Sequence, residues 1–466
     1  MKMSLDHAAQ AAQAKILYPK DVLLTGAASD NRKVMPGQLF VAIPGERVDG
    51  HDFAAAAVEA GAAAVIAERD PFAGENKAPV LLVENSVVAL GRIGHAWRDA
   101  FSGKVVGITG TAGKTTSKEL LANILSQRGK TARSLMNLNT QVGMPVCMMA
   151  ADGDEAFWVM EAGISHANDM NELGPVMEPD LAIILNVGAG HSQGLGEKGT
   201  AYYKSQLLHF VRKGGMALVS ADYEDLVREA QAIRPDIVFF SVKDNSAPYR
   251  ASYFGLDENG RGNYRLWLDG TVLDVNCALS GPYAAENLIA AAAAAHLLGL
   301  SGEEIRLGIE KAPLPAQRFA RRDVPGWIVI DDTYNANPLS SARMIEAAAE
   351  LAKDRRFICL LGEMGELGDV AESAHRELGR KVARSGVQAV FWHGGYAAEL
   401  QAGLNDEAYA GFFCPLSSTD EFLPALEGWS SLQNDRRESL ILFKGSRSNR
   451  LERYVNLFLE EKGHAV

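Results

Sequence analysis

The sequence predicts an α/β protein of three domains, the middle one a parallel-sheet P-loop domain. Three observations predict it. The chain has 466 residues, and at roughly 150 residues per domain that length suggests about three. Short apolar runs alternate with helical stretches along most of the chain, the pattern of βαβ units. One strand-to-helix junction carries the glycine-rich turn Gly110–Thr116, which has the form of a phosphate cradle.

Up to about Gly103 the apolar runs Leu39–Ile43, Ala64–Ala67 and Val80–Val83 read as strands. An alanine-rich helical stretch from about Phe53 to Glu59 lies between the first two and ends at Gly61. This α/β module shows no catalytic constellation, so substrate binding is its expected role.

The second segment opens at Lys104 with the strand Val105–Thr109. After the glycine-rich turn comes a helix from about Ser117 to Gln127, with Leu120, Leu121, Ile124 and Leu125 on the face a sheet would cover. Two buried-type strands, Phe157–Met160 and Leu181–Leu185, end in the polar residues Glu161 and Asn186. Ligands of open parallel sheets bind beyond the carboxyl ends of strands, so these ends mark the expected site. Phe157 and Trp158 read as core. The third segment starts near the proline-marked linker Pro313–Pro315. Its strands Ile328–Ile330, Phe357–Leu361, Ala389–Phe391 and Leu440–Phe443 form a second open α/β sheet. The expected divisions are 1–103, 104–314 and 315–466.

Composition narrows the partners. Lysine and arginine number 46 against 58 aspartate and glutamate, a formal net charge of −12. That balance disfavours nonspecific binding to nucleic acid or anionic membrane. Four scattered cysteines with no CxxC pair fit a reducing compartment and no disulfide framework. The first seven residues hold Asp6 and His7 where a signal peptide needs an apolar run. The alanine-rich stretch Ala284–Ala295 contains Glu286 and Asn287 and is short for a bilayer crossing. A soluble cytoplasmic protein is expected, with no nucleic acid or membrane partner.

Backbone N–H groups of Gly110–Thr116 can point inward around phosphate oxygens, helped by the following helix N-terminus. Lys114 would neutralise β/γ-phosphate charge, and the Thr115 hydroxyl would ligate magnesium. The general template GxxxxGK(S/T) wants glycine at 108, where this chain has Ile108, so the match is to the shorter GxxGKT form. A strand before it and an amphipathic helix after it make it a nucleotide site. Glu161, at a strand end, can reach that magnesium. His191 sits in a glycine-rich loop, where a histidine by itself is more often a surface residue than a ligand. Lys204, in Ala201–Gln206, reads from pattern alone as a solvent-facing helix lysine.

Taken together, Gly110–Thr116, Glu161–Gly163, Asn186–His191 and Lys204, in this order and spacing, resemble the central domain of the Mur ligases. That family builds the peptide stem of bacterial cell-wall precursors. Asp331–Pro338, Lys444–Ser448, Leu361–Gly368 with His375 and Arg376, and Arg32–Ala42 with Gly45–Arg47 and Asp49–Phe53 resemble its dipeptide-adding branch. The likeness spans nearly the whole chain. It implies a three-domain Mur ligase architecture: an N-terminal UDP-sugar domain, a central ATP-binding domain and a Rossmann-like C-terminal domain.

The implied reaction joins UDP-N-acetylmuramoyl-tripeptide to D-alanyl-D-alanine at the expense of ATP, through an acyl phosphate, in a monomeric cytoplasmic enzyme. Carried over by motif, Gly110, Thr111, Ala112, Gly113, Lys114, Thr115 and Thr116 hold the ATP phosphates, with Asn139 near the γ-phosphate and Asn287 nearby. Arg318 and Asp332 would reach phosphate and ribose from the third domain. One Mg2+ would lie on Thr115 and Glu161, and a second on His191 and Lys204, the lysine carrying a carbamate from CO2. Asn31 and Arg32 would bind the UDP substrate, and Tyr334, Asn335 and Asn337 would help form the nucleotide and dipeptide sites.

The chain departs from the family pattern in places. Tyr283 and Ala284 stand where a His-Asn pair is usual near adenine; alanine cannot read a base edge, whereas tyrosine can stack on one. Asp30-Asn31-Arg32 replaces Asp-Ser-Arg. Thr140-Gln141 replaces Asn-Glu, Gly190 precedes His191, and Ala112 stands where asparagine is frequent. A related amide ligase or a nonenzymatic ATP-binding scaffold are the competing readings. Joint retention of Lys114, Thr115, Glu161, His191 and Lys204 speaks against the scaffold.

Overall fold

A computed structural model of the chain describes residues 2–45, 48–135, 138–188, 198–313, 317–433 and 437–463. His191, Arg47, Asn137, Gly190 and the expected division at 314/315 lie outside the described residues. Three larger sheets follow one another along the sequence, beside a short antiparallel pair formed by Met3–Ser4 and Leu23–Leu24.

The first sheet has five strands in the order Lys15–Leu17, Val80–Leu82, Ala64–Ala67, Leu39–Val41, Ala27–Ala28. Its last four strands are parallel, and Lys15–Leu17 pairs antiparallel at the edge. The helix after Leu39–Val41 is shorter than the alanine run suggested. A 3-10 turn, Gly50–Phe53, precedes Ala54–Glu59 because Asp49 accepts from the His51 N–H and caps it. Helix Ser86–Ala100 is capped by Asn85, which accepts from Val87 and Val88, and carries the first sheet onto the second.

The second sheet has nine strands, and it is mixed rather than parallel throughout. Thr131–Arg133, Phe157–Glu161, Lys104–Thr109, Leu181–Ile184, Met216–Ser220, Ile237–Ser241 and the start of Tyr249–Leu256 run parallel. Gly262–Leu268 and Thr271–Cys277 then extend the sheet as antiparallel hairpins. The reason lies in the alternation of Gly262–Leu268, whose Tyr264, Leu266 and Leu268 are buried while Arg265 is exposed. One-sided burial of that kind suits antiparallel hairpins. Tyr264, Leu266 and Leu268 share a core with helix Ala284–Leu297, whose residues from Ala284 to Ala295 are all buried. No helix among the described residues is long and apolar enough to cross a membrane.

The third sheet has six strands in the order Ala320–Val324, Trp327–Asp332, Ser439–Lys444, Arg356–Gly362, Ala389–His393, Phe412–Leu416. All pairs are parallel except the first.

Core packing separates these sheets unequally. Leu39, Ile66, Ile93 and Trp97 of the first share one continuous apolar cluster with Met144, Trp158, Met160 and Leu173 of the second. Phe101 stacks on Trp158 with ring centroids 3.8 Å apart. The fully buried guanidinium of Arg98 pairs with Asp180 at 2.7 Å and donates to the Met177 carbonyl, locking the same junction. The third sheet has its own two cores, one of which Leu256 and Tyr283 of the second touch. Its remaining joint to the second is largely polar: Arg318 and Asn337 reach the P-loop, Arg343 reaches Glu286, and Glu350 and Arg321 meet Tyr253 and the Asn259 carbonyl at the hairpin.

Candidate active site

The P-loop bridges strand Lys104–Thr109 and helix Lys114–Leu125. The helix starts three residues earlier than the apolar periodicity indicates. Gly113, at φ 81°, occupies the N-cap with no side chain to satisfy the first-turn N–H groups, which leaves those donors for an anion. A side chain could not replace this glycine, since a Cβ there would overlap the Asn287 amide oxygen. Asn287, 2% exposed, also accepts from Ser117 at 3.2 Å. It buttresses the underside of the loop.

Glu161 ends strand Phe157–Glu161, opposite Ile108 in the neighbouring strand. Its Oε2 accepts from the Thr115 hydroxyl at 3.0 Å and its Oε1 from Asn139 Nδ2 at 3.0 Å. The carboxylate is 4% exposed and faces three lysines of different character. Lys118, fully buried, lies 3.9 Å from Oε2 and donates to the Ser134 carbonyl at 2.6 Å. Ser134 Oγ in turn accepts from the Glu161 N–H. Lys114 folds back on its own loop, donating to the Gly110 carbonyl at 2.7 Å. Burial pushes its ammonium below the ordinary lysine range, with Glu161 opposing that shift and Arg318 adding to it.

Lys204 is not the solvent-facing lysine its local pattern indicates. It is 1% exposed, in helix Gly199–Ser205. Among the described residues no hydrogen bond or ion pair reaches its amine. Burial holds it well below the usual lysine range; Lys114 reinforces the shift and Glu161 opposes it. The shift enlarges the share of neutral amine, the form that adds CO2.

From the third sheet, Arg318 enters the same space. Its Nη2 donates to Thr115 Oγ1 at 3.2 Å, and its guanidinium lies 4.1 Å from the Tyr334 ring centroid. Gln317 and Phe319 on either side have φ of 58° and 56°, a conformation costly for non-glycine residues and found where a side chain must be held for function. Asp332 secures the segment. Its Oδ1 accepts from the Phe319 N–H at 3.0 Å and its Oδ2 from buried Lys444 at 2.6 Å. Lys444 also donates to the Asn335 carbonyl at 3.0 Å. Asn337 caps helix Pro338–Ala352 through a capping box with Ser340, and its Nδ2 reaches the Thr111 carbonyl at 3.5 Å.

Residues 108–295 match the Mur ligase middle domain, 317–447 the Mur ligase glutamate ligase domain, and 24–98 the Mur ligase family catalytic domain. The UDP-N-acetylmuramoyl-tripeptide–D-alanyl-D-alanine ligase of Synechocystis sp. is 31% identical over 455 residues, spanning 96% of this chain and 94% of that one. The chain belongs to the Mur ligase family. Among solved structures, MurF from Acinetobacter baumannii matches with a TM-score of 0.88 at 28% identity, over 99% of each chain. MurF from Thermotoga maritima in complex with ADP matches with a TM-score of 0.81 at 26% identity, over 95% of this chain and 98% of that one.

Within this Mur ligase, the other residues singled out from the sequence are spread more widely. Asn31 and Arg32 lie in a 3-10 turn capped by Asp30, and the Arg32 side chain is 82% exposed and paired with Asp30 at 2.8 Å. Among the described residues, neither makes a hydrogen bond to the P-loop group. Tyr283 is half-buried with its ring edge-on to Phe319, centroids 6.0 Å apart, and Ala284 is fully buried behind it. Burial pushes the Tyr283 hydroxyl upward, so it is a neutral group beside Arg318's segment. His375 belongs to the third core. It accepts from the Met364 N–H at Nε2 and donates from Nδ1 to the Ala371 carbonyl, fixing the loop after Arg356–Gly362.

Sequence reasoning missed Lys118, Ser134, Tyr223, Glu286 and Arg343. Only Glu286 carried a usable signal, the single carboxylate in an alanine-rich helix. Lys118 sits beside Leu120, Leu121 and Ala122 with nothing local to mark it as buried.

Proposed function

We propose that this Mur ligase joins UDP-N-acetylmuramoyl-tripeptide to D-alanyl-D-alanine in peptidoglycan precursor synthesis, with ATP converted to ADP and phosphate. The carrying observation is the meeting of Thr115, Glu161 and Arg318 at one point, in a chain alike over nearly its full length to ligases named for that reaction. The divisions 1–103, 104–314 and 315–466 then serve as UDP-substrate, ATP-binding and closing domains, in a monomeric cytoplasmic enzyme.

The tripeptide's terminal carboxylate attacks the γ-phosphorus of ATP, ADP departs, and an acyl phosphate forms. The dipeptide amine attacks the acyl carbon. The tetrahedral intermediate loses phosphate and a proton and leaves the amide. Oxide is a poor leaving group from carbon and phosphate a good one, which is the chemical need for ATP. Charge accumulates on the transferring oxygens, and fixed cations stabilise it without reorganisation. Lys114 swings from the Gly110 carbonyl to the phosphates, and Arg318 approaches from the opposite side. Seating the third domain also excludes water from the acyl phosphate.

The donor set suits a hard divalent cation. Thr115 and Glu161 offer a hydroxyl and a carboxylate within 3.0 Å of each other, so Mg2+ on them would neutralise phosphate oxygens. Lys204, a buried amine shifted toward its neutral form, suits carbamylation, which would supply an anionic oxygen ligand for a second Mg2+ together with His191. Asn139 orients the Glu161 carboxylate from its other oxygen. Asn31 and Arg32 would meet the UDP moiety, and Tyr334, Asn335 and Asn337 the nucleotide and dipeptide.

The test is phosphate release from ATP and Mg2+ with the UDP-linked tripeptide and dipeptide added singly and together. Release that needs both, with a product mass equal to tripeptide plus dipeptide less water, is expected. ATP binding without release under any combination would leave a nucleotide-binding scaffold.

A further inference from the structure

Beneath the phosphate cradle, polar side chains from two sheets meet in one buried cluster. Helix Ala284–Leu297 carries a single carboxylate, Glu286, 1% exposed. Three donors converge on it. The Tyr223 hydroxyl reaches Oε1 at 2.8 Å, while Asn186 Nδ2 and Arg343 Nη1 reach Oε2 at 2.8 Å and 2.7 Å. The fork of Arg343 is used twice, because its Nη2 also donates to the Tyr223 oxygen at 2.9 Å.

Asn186 grips a P-loop peptide at the same time. Its Oδ1 accepts from the Ala112 N–H at 2.8 Å, and its Nδ2 donates to the Ala112 carbonyl at 3.0 Å. Only one of the two amide orientations satisfies both contacts, and in that orientation the nitrogen is the end presented to Glu286. Glu286 therefore holds Asn186 in the orientation that clamps the loop.

The counter-ion comes from elsewhere in the fold. Arg343 lies on helix Pro338–Ala352 of the six-stranded domain, the domain that also delivers Arg318 and, through Asn337, touches Thr111. A carboxylate as buried as Glu286 is poorly tolerated without a paired cation, and charge-assisted bonds such as these are the strong ones. The hold on Glu286, and with it the grip of Asn186, is thus tied to where the third domain sits.

We propose that Arg343 is a positioning residue for phosphoryl transfer. Docked on Glu286, it sets the Ala112 peptide through Asn186, so the phosphate cradle is completed only when the domain bearing Arg318 is seated. ATP is thereby protected from cleavage before both cations are in place. The inference rests on the ATP-dependent ligation reading above.

The experiment measures kcat, KM and Mg-ADP affinity on the full chain for Arg343→Met, Arg343→Lys and the double variant Glu286→Gln/Arg343→Met. Arg343→Met is expected to lower kcat per folded molecule about tenfold or more, with KM for tripeptide and dipeptide within about twofold, and to weaken ADP binding. Arg343→Lys keeps the charge without the fork and recovers part of kcat. The double variant leaves no buried charge unpaired, so it regains thermal stability yet stays slow. A merely structural role makes the opposite forecast, since kcat per folded molecule would return with stability. A kcat within about threefold of the unaltered chain in Arg343→Met or in the double variant overturns the proposal. If the unaltered chain releases no phosphate with both substrates, the ligation reading fails instead, and the ratio of ADP affinities still decides the coupling.

Discussion

The Thr115 hydroxyl donates to Glu161 Oε2 at 3.0 Å across 46 residues of sequence. Parallel pairing of Phe157–Glu161 with Lys104–Thr109 sets Glu161 opposite Ile108, so the carboxylate emerges beside the loop that follows the first strand. Neither residue could find the other without that register. Three predictions extend from the group they form, and a fourth from His375 in the third core.

Replacing Glu161 by glutamine keeps the size, removes the charge and leaves one acceptor oxygen where the carboxylate uses two. Turnover is expected to fall at least about 100-fold, because a fixed electrostatic contribution is lost where charge develops. The magnesium concentration for half-maximal phosphate release should rise in parallel. An unchanged magnesium dependence would show that Glu161 binds no metal.

Lys204→Ala should abolish most turnover while the thermal midpoint holds or rises. The amine has no hydrogen-bonding partner among the described residues, so its removal orphans nothing there, and a desolvated group is deleted. Circular dichroism melting and phosphate release measure the two halves. Activity near that of the unaltered chain rejects the metal role, and collapse of the fold rejects the reading of burial. CO2-depleted buffer should slow the unaltered chain and bicarbonate should restore it.

Arg318→Ala removes the cation that the third domain brings to Thr115. Its expected effect is a loss of about tenfold or more in kcat with little change in tripeptide affinity. Steady-state rates and direct binding of the UDP-linked tripeptide separate the two quantities. An unaltered rate would remove Arg318 from the site.

His375 makes stability depend on pH. Burial lowers its pKa, with the Ala371 carbonyl opposing, and Nε2 must stay unprotonated to accept from the Met364 N–H. The unfolded chain binds a proton below about pH 6.5, whereas the folded one resists it, so stability falls as pH drops through that value. His375→Gln lacks this proton. Its deficit relative to the unaltered chain should therefore be larger at pH 8 than at pH 5.5 when thermal midpoints are compared. A deficit constant with pH would assign the loss to packing alone.

Local pattern made much of the site legible. Gly110, Gly113, Lys114 and Thr115 are adjacent in sequence, and a phosphate cradle is built from consecutive backbone N–H groups, so its signature is local by necessity. Glu161 and Asn186 were visible as polar ends of apolar strands. The buried strands of the parallel sheet showed as continuous apolar runs, while the half-buried hairpins Gly262–Leu268 and Thr271–Cys277 were hidden by their polar faces.

Sequence alone determined the three-segment α/β order, the strand–loop–helix at the P-loop and the residue types suited to nucleotide chemistry, because each follows from neighbours a few positions apart. Tertiary structure decided what burial and long-range pairing decide. It turned Lys204 from an apparent surface lysine into an enclosed amine, set Lys118 behind Glu161, and closed Arg343 onto Glu286 across 57 residues. A side chain's charge state depends on the dielectric and the partners around it, and those are supplied by segments that meet only when the chain is folded.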